Sequence, residues 1–508
     1  MSRPPLRHAE PPWPRAHDVT VRQAAGWTPL PFHSFVLKVH SRCDLACDYC
    51  YMYRSHDRSW RRQPRTMAPG TVRRAAERIA EHLSAHGVTE AGVVLHGGEP
   101  LLMGDEALAH TVHSLRKAVG TDVRLHLSVQ TNGIRLTDER LALCGELGLR
   151  IGVSTDGGRA AHDRHRRGAD GRGSHARVSA ALALLSSERH RHLFGGLLCT
   201  IDLRNDPVRT YEDLLVHAPP ALDLLLPLGT WHTPPPGLDP SGRRTPYADW
   251  LWAVFERWYG APVKETGVRL LDDLTALLLG ASPRTEALGL SPVRYAVVDT
   301  DGSLTQDDAL RTAYDGAAAT GLDIWHHSFD ALLLHPGVAA RQWGPDALCA
   351  HCRTCPLHRI CGAGHYATRY HPTTGFANPT VYCADVAELI RRVRGRLEAD
   401  LGRVGRGGGM GGSGVGAGDA GSVCAGLGVA GVRTDPGRAT SDPAATPRHA
   451  DPGHADPGAA TSDPAPTPTS APLEHSGSGA RAVGVRLLGV GRGANGSWGG
   501  RAMPGEVG

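Results

Sequence analysis

The sequence predicts an α/β chain: a parallel sheet or partial barrel of six strand–helix units, a small irregular cysteine-rich domain, and a disordered tail. Three observations predict it. Short apolar runs alternate six times with amphipathic stretches between Phe35 and Asp223. Five cysteines crowd into residues 349–383 with little regular pattern. After Gly402 the composition shifts to Gly, Ala, Pro, Ser, Thr and Asp, with repeated Asp-Pro units that cannot bury enough apolar surface to offset chain entropy.

Taken in order, residues 1–32 read as an irregular leader. The core, 33–230, has strand candidates at Phe35–Val39, Gly92–His96, Arg124–Val129, Arg150–Val153, Gly196–Ile201 and Leu222–Leu226. Between them Thr71–His86, Glu106–Val119 and Asp138–Leu147 carry apolar residues at helical spacing, as in Val72, Ala75, Ala76, Ile79, Ala80 and Leu83. Chemistry in such a fold sits at the C-terminal strand ends. Residues 231–345 hold bridging helices (Tyr247–Tyr259, Val268–Leu279) and a hairpin across Tyr295–Leu304 with Asp301-Gly302 at its turn. The cysteine-rich domain and a closing helix, Ala384–Leu401, fill 346–400, and 401–508 is the tail.

The bulk numbers narrow the class. The chain has 508 residues, a formal charge of +4 and 11 cysteines. The near-neutral charge makes no electrostatic case for nucleic acid. No apolar run of 18 residues and no N-terminal h-region occur, so a cytoplasmic protein with no membrane or nucleic-acid partner is expected. Thiols stay reduced there, which favours metal ligation over disulfides. Cys144 and Cys199 read as buried core residues, and Cys424 in the tail has no assigned role.

Cys43, Cys47 and Cys50 follow directly on the first strand. Three thiolates so close in one loop can wrap one face of an iron–sulfur cubane and leave one iron open. A structural zinc or iron site with a distant fourth ligand is the alternative.

This C-x3-C-x2-C loop resembles that of the radical S-adenosylmethionine (SAM) superfamily, over about residues 33–230. The resemblance implies a partial (β/α)6 barrel of the radical SAM type. It also implies a [4Fe-4S] cluster whose open iron binds SAM, which is then cleaved to a 5'-deoxyadenosyl radical. Gly97-Gly98-Glu99-Pro100 looks like the family's motif contacting the SAM amino group, its glycines allowing close backbone approach. Gln130-Thr131-Asn132-Gly133 and Ser154-Thr155-Asp156-Gly157 are similar to motifs holding the ribose and methionine of SAM, which implicates Gln130, Asn132, Ser154 and Asp156. Arg166 resembles the arginine that pairs with the SAM carboxylate. Tyr49 packs near the adenine or is a core aromatic.

Cys352, Cys355, Cys361 and Cys383 resemble the SPASM extension of radical SAM peptide maturases, implying a SPASM-like domain with one auxiliary [4Fe-4S] cluster. A zinc ribbon is the rival reading. A second auxiliary cluster is not expected: no cysteine lies between Cys199 and Cys349, and His365 stands where a further ligand would be. Cys349 is left over, as a free thiol or an alternative ligand. Asp307 sits where some maturases carry a catalytic general base, with Gln306 replacing the neighbouring cysteine; otherwise it is a surface turn carboxylate.

The runs Ser34–His40, Ser59-Trp60-Arg61, Gly362–Tyr366 and Asn378–Asp385 look like FxsB-type radical SAM/SPASM proteins. That resemblance implies a small ribosomally made precursor peptide as substrate, joined internally from an aromatic ring to a β-carbon, and a reductant such as a ferredoxin or flavodoxin. Residues around Trp231 and Trp250 are candidates for the peptide groove. The rivals are a sulfatase-type maturase forming formylglycine and a non-catalytic zinc-binding scaffold that docks peptides.

Overall fold

A computed structural model describes residues 16–282 and 286–407. Six parallel strands form where the apolar runs predict them: β1 (Ser34–His40), β2 (Glu90–Gly97), β3 (Arg124–Thr131), β4 (Leu149–Ser154), β5 (Phe194–Thr200) and β6 (Ala221–Leu225). The short β7 (Gly267–Val268) extends them in parallel beside β6. The expected hairpin is β8 (Tyr295–Val298) and β9 (Ser303–Thr305), followed by β10 (Ala319–Asp323). One sheet results, in the order β10-β9-β8-β1-β2-β3-β4-β5-β6-β7.

Strand alternation divides the sheet into two faces. Phe35, Leu37 and Val39 of β1, Val93 and Leu95 of β2, and Ile151 and Val153 of β4 belong to the apolar core. Helices Pro69–Ala85 and Asp105–Val119 cover this side, and Val72, Ala75, Ala76, Ile79 and Leu83 form the buried stripe of the first. Pro69 opens that helix, where its missing N–H leaves no bond unmade. The intervening positions Lys38, His96, Gln130 and Ser154 are polar yet buried on the other face. A buried polar face at the carboxyl ends of parallel strands is where a site belongs.

Three expectations are corrected. Residues 1–32 are not wholly irregular: Ala16–Ala24 is a helix, with Val19 packed on Ala339, Ala340 and Trp343. Its partners lie three hundred residues away, so no local signal marks it. The hairpin is not a separate bridge, because β8 pairs in parallel with β1. The final helix runs Cys383–Gly407, past the composition change that set the tail boundary. The rest of the tail expected to be disordered lies outside the described residues, as does Cys424. Cys144 and Cys199 are buried in helix and strand, as expected. Among the described residues no helix is long and apolar enough to cross a membrane.

Candidate active site at the strand ends

The loop after β1 turns Cys43, Cys47 and Cys50 inward; Cys47 and Cys50 are fully buried and Cys43 is half-buried. Two donors face the Cys43 sulfur: the Leu45 backbone N–H at 3.4 Å and the Asn132 amide at 3.7 Å. Such bonds stabilise a thiolate. Burial pushes the Cys47 thiol up to about 12, although Arg166 opposes it. Thiols so raised keep their protons at neutral pH until a soft metal displaces them.

Gly97 and Gly98 act first on the protein itself. Gly97 has φ +139°, and a Cβ there would lie 2.1 Å from the His40 carbonyl oxygen. A Cβ on Gly98 would lie 2.4 Å from that of Arg42. Only glycines let β2 close against the cysteine loop, through Gly98 N–H to His40 and Glu99 N–H to Arg42. Pro100 then opens a single 3-10 turn, Pro100–Met103.

Glu99 is fully buried beside Cys43. It accepts from the Thr131 hydroxyl at 2.7 Å, the Asn132 N–H at 2.8 Å and the Leu101 N–H at 3.0 Å. Burial pushes its pKa up to about 7, against the bonds from Asn132 and Thr131. Asn132 therefore links the ends of β1, β2 and β3, since its amide also reaches Asp44 at 2.9 Å. The Gln130 amide donates to Ser154 at 3.1 Å, while the Gln130 Oε1 is buried without a partner.

At the end of β4, Tyr49 and Arg166 both donate to Asp156, Arg166 Nε at 2.9 Å. Asp156 and Arg166 are buried together. Burial raises the Asp156 carboxyl, but Arg166 outweighs it and holds the group ionised below the usual range. The Arg166 charge also reaches Cys47. Tyr49 thus sits under the guanidinium, 5.9 Å from its carbon, as part of this network. His162, which the sequence analysis missed, buttresses the turn: Thr155 contacts its Nδ1 at 3.0 Å and Ser174 its Nε2 at 2.9 Å.

A second missed feature fills the polar face. Lys38 bonds Asp299 at 2.9 Å and Asp308 at 3.1 Å, and Arg311 bonds Asp308, Asp299 and Asp57 at 2.9–3.1 Å. All five residues are buried. The signal available was a lysine in the middle of the apolar strand Phe35–Val39. Asp307 beside it is no surface carboxylate. It is buried, with Tyr295 donating at 2.7 Å and His365 Nε2 at 3.1 Å. Burial raises its pKa, but His365 and Arg341 outweigh that and hold it well below the usual range. Trp250 is a core residue donating to Asn205, whereas Trp231 is partly exposed.

The second group gathers Cys352, Cys355, Cys361 and Cys383 from two short helices, Ala350–Thr354 and His358–Cys361, and the start of the last helix. The Cys352 thiol interacts with those of Cys361 and Cys383, and Cys361 with those of Cys355 and Cys383. Cys349 packs against the small apolar cluster of Leu348, Cys352 and Ala363.

Three converging thiols with N–H donors fit one open cubane, and the four-thiol group fits a closed one. The orphaned Gln130 Oε1 and the polar ends of β2–β4 fit a polar ligand beside the first. Comparison with known proteins agrees. Residues 37–211 match the model of the Radical SAM superfamily. The serine-type anaerobic sulfatase-maturating enzyme of Klebsiella aerogenes is 28% identical over 207 residues, 40% of this chain and 45% of that one. The cysteine-type enzyme of Clostridium novyi is 23% identical over 278 residues, 52% and 70%. The chain thus spans under half the length of the first and more of the second. The solved structure of native anSMEcpe with bound AdoMet and Cp18Cys peptide superposes with TM-score 0.59 at 19% identity, over 73% of this chain and 99% of that one, a likeness of fold. The chain carries a radical SAM enzyme domain over residues 37–211, whose cofactors are a [4Fe-4S] cluster and S-adenosylmethionine.

Proposed function

We propose that this protein is a radical SAM peptide maturase that modifies a small ribosomally made precursor, joining an aromatic ring to the β-carbon of a nearby residue. When bound, the cluster and SAM supply a 5'-deoxyadenosyl radical able to remove a hydrogen atom from the substrate. Cys43, Cys47 and Cys50 hold the cluster. Glu99 offers a carboxylate to an ammonium, and Gln130 with Ser154 offers hydrogen bonds to hydroxyls. Arg166, fixed by Asp156, brings a buried positive charge to Cys47 and to any carboxylate bound there. Asp307, ionised and buried, is a proton acceptor for the substrate. Cys352, Cys355, Cys361 and Cys383 hold an auxiliary [4Fe-4S] cluster that accepts the substrate's electron. A ferredoxin or flavodoxin supplies the priming electron in the cytoplasm.

The observation that carries this reading is the meeting of three buried thiols with Glu99, Asn132 and Arg166 at successive strand ends. A second reading, formylglycine formation on a sulfatase, is favoured by the similarity to sulfatase-maturating enzymes. Anaerobic incubation with SAM, dithionite and the precursor encoded beside the gene tests both. A two-hydrogen loss located by tandem mass spectrometry between two side chains supports the cross-link. A hydrazide-reactive aldehyde supports the rival, and an unmodified peptide removes the cross-linking reading.

A further inference from the structure

Asp307 is gripped by residues far from it in the chain. Its Oδ1 accepts the Ala309 N–H at 2.8 Å. Its Oδ2 accepts from the Tyr295 hydroxyl at 2.7 Å and lies 3.1 Å from His365 Nε2 and 3.4 Å from Arg341 Nη2. Arg341 is buried, and both oxygens of Glu286 hold it from behind, Nε donating to one of them at 2.7 Å and Nη2 to the other. The same Nη2 donates to the Tyr295 hydroxyl oxygen at 2.8 Å. An Nη carries two protons, and Glu286 and Tyr295 take them. Arg341 therefore governs Asp307 chiefly through the tyrosine, whose own proton is turned onto Oδ2. Backbone fixes this relay: the Val293 N–H donates to the Arg341 carbonyl at 3.1 Å, two residues before Tyr295 opens β8.

We propose that Arg341 is a positioning residue for proton transfer: through the Tyr295 hydroxyl it fixes the Asp307 carboxylate by Oδ2 and leaves Oδ1 to take the substrate's proton. The inference rests on the proton-acceptor reading of Asp307 given above. Closing a bond from an aromatic ring to a β-carbon removes two hydrogens from the peptide. One leaves as an atom to the 5'-deoxyadenosyl radical. The other leaves as a proton to Asp307, and its electron passes to the auxiliary site. A ring that has gained a carbon and given up an electron holds that proton weakly. A weak base then suffices, and its placement decides the rate. If Asp307 swings away, the hydrogen atom is still removed but the product does not form.

The test uses the full, anaerobically reconstituted chain with SAM, dithionite and the precursor encoded beside the gene. Its readout is the deoxyadenosine formed per cross-linked peptide, a ratio that a merely structural defect leaves unmoved because both amounts fall together. D307N, which removes the acceptor, is expected to raise the ratio roughly 100-fold. R341M is expected to raise it about 10-fold, and Y295F, which deletes one oxygen of the relay, by a smaller factor in the same direction. The proposal is overturned if the ratio of R341M stays at the wild-type value while that of D307N rises. Y295F decides in the same way should R341M fail to fold. An unmoved ratio in D307N would instead overturn the proton-acceptor reading of Asp307, and an unmodified precursor in the wild type the cross-linking reading, each taking the role of Arg341 with it.

Discussion

The two cysteine groups solve one problem on opposite kinds of backbone. Cys43, Cys47 and Cys50 lie on a loop that β1 launches and the ends of β2–β4 enclose, through Gly98, Glu99, Asn132 and Asp156. The second group rests on two short helices of five and four residues and on the first residue of the last helix. A site that must leave a metal position open needs a rigid surround to stop a stray side chain from filling it. A site closed by its own ligands makes its own rigidity, because each metal–sulfur bond is a crosslink. Rigidity at the first group comes from protein, and at the second from sulfur.

The strongest test of that contrast is to empty one site at a time. Replacing Cys43, Cys47 and Cys50 by alanine is expected to reduce deoxyadenosine formation to the reductant-only background, with thermal stability falling little. A large drop in melting temperature for this variant, measured by calorimetry, would break the comparison. Next comes the scaffold under the first loop. Arg311→Met leaves Asp57, Asp299 and Asp308 buried with Lys38 alone among the cations of this network, and should cost about 3–5 kcal/mol in chemical denaturation.

Acid probes the same scaffold. Burial lowers the His96 pKa to about 4 and the His162 pKa to about 3, both from 6.5. Their folded values lie below their unfolded ones, so the unfolded chain binds more protons in this window. The stability they contribute is complete above about pH 6.5 and falls with pH toward 4. Each is expected to take roughly 3 kcal/mol by then. His162→Gln should flatten that slope, and an unchanged profile would remove histidine from the account. The smallest effect is at Asn132→Ala, which loses one donor to Cys43 and one link to Asp44. Cluster affinity should weaken about 10- to 100-fold, read by chelator competition.

What the sequence revealed follows the same division. The six strands, the strand-end motifs and both cysteine groups were legible because each is written in a short stretch: an apolar run, a spacing, a turn. Asn132 and Ser154 fall at the ends of β3 and β4 as their strand assignments required. The Lys38–Asp308–Arg311 network was not legible, since its charges come from residues some 270 positions apart. Asp307 looked like a surface carboxylate because the polar run around it faces inward, which composition alone does not reveal. The helix Ala16–Ala24 was missed for a related reason: its buried face has meaning only beside Trp343.

The pairing of β1 with β8 has a consequence for how the protein is made. Phe35 lies beside Ala296, and Lys38 meets its carboxylate partners only at Asp299 and Asp308. A ribosome delivers residues at about 5–20 per second, so the strand that launches the first cysteine loop waits on the order of half a minute for its neighbour. Until then Lys38 has no counter-charge and one edge of β1 is bare. If loading needs the finished sheet, it is expected to follow synthesis of β8, and nascent chains cut short before Asp308 are expected to retain less iron than the full chain.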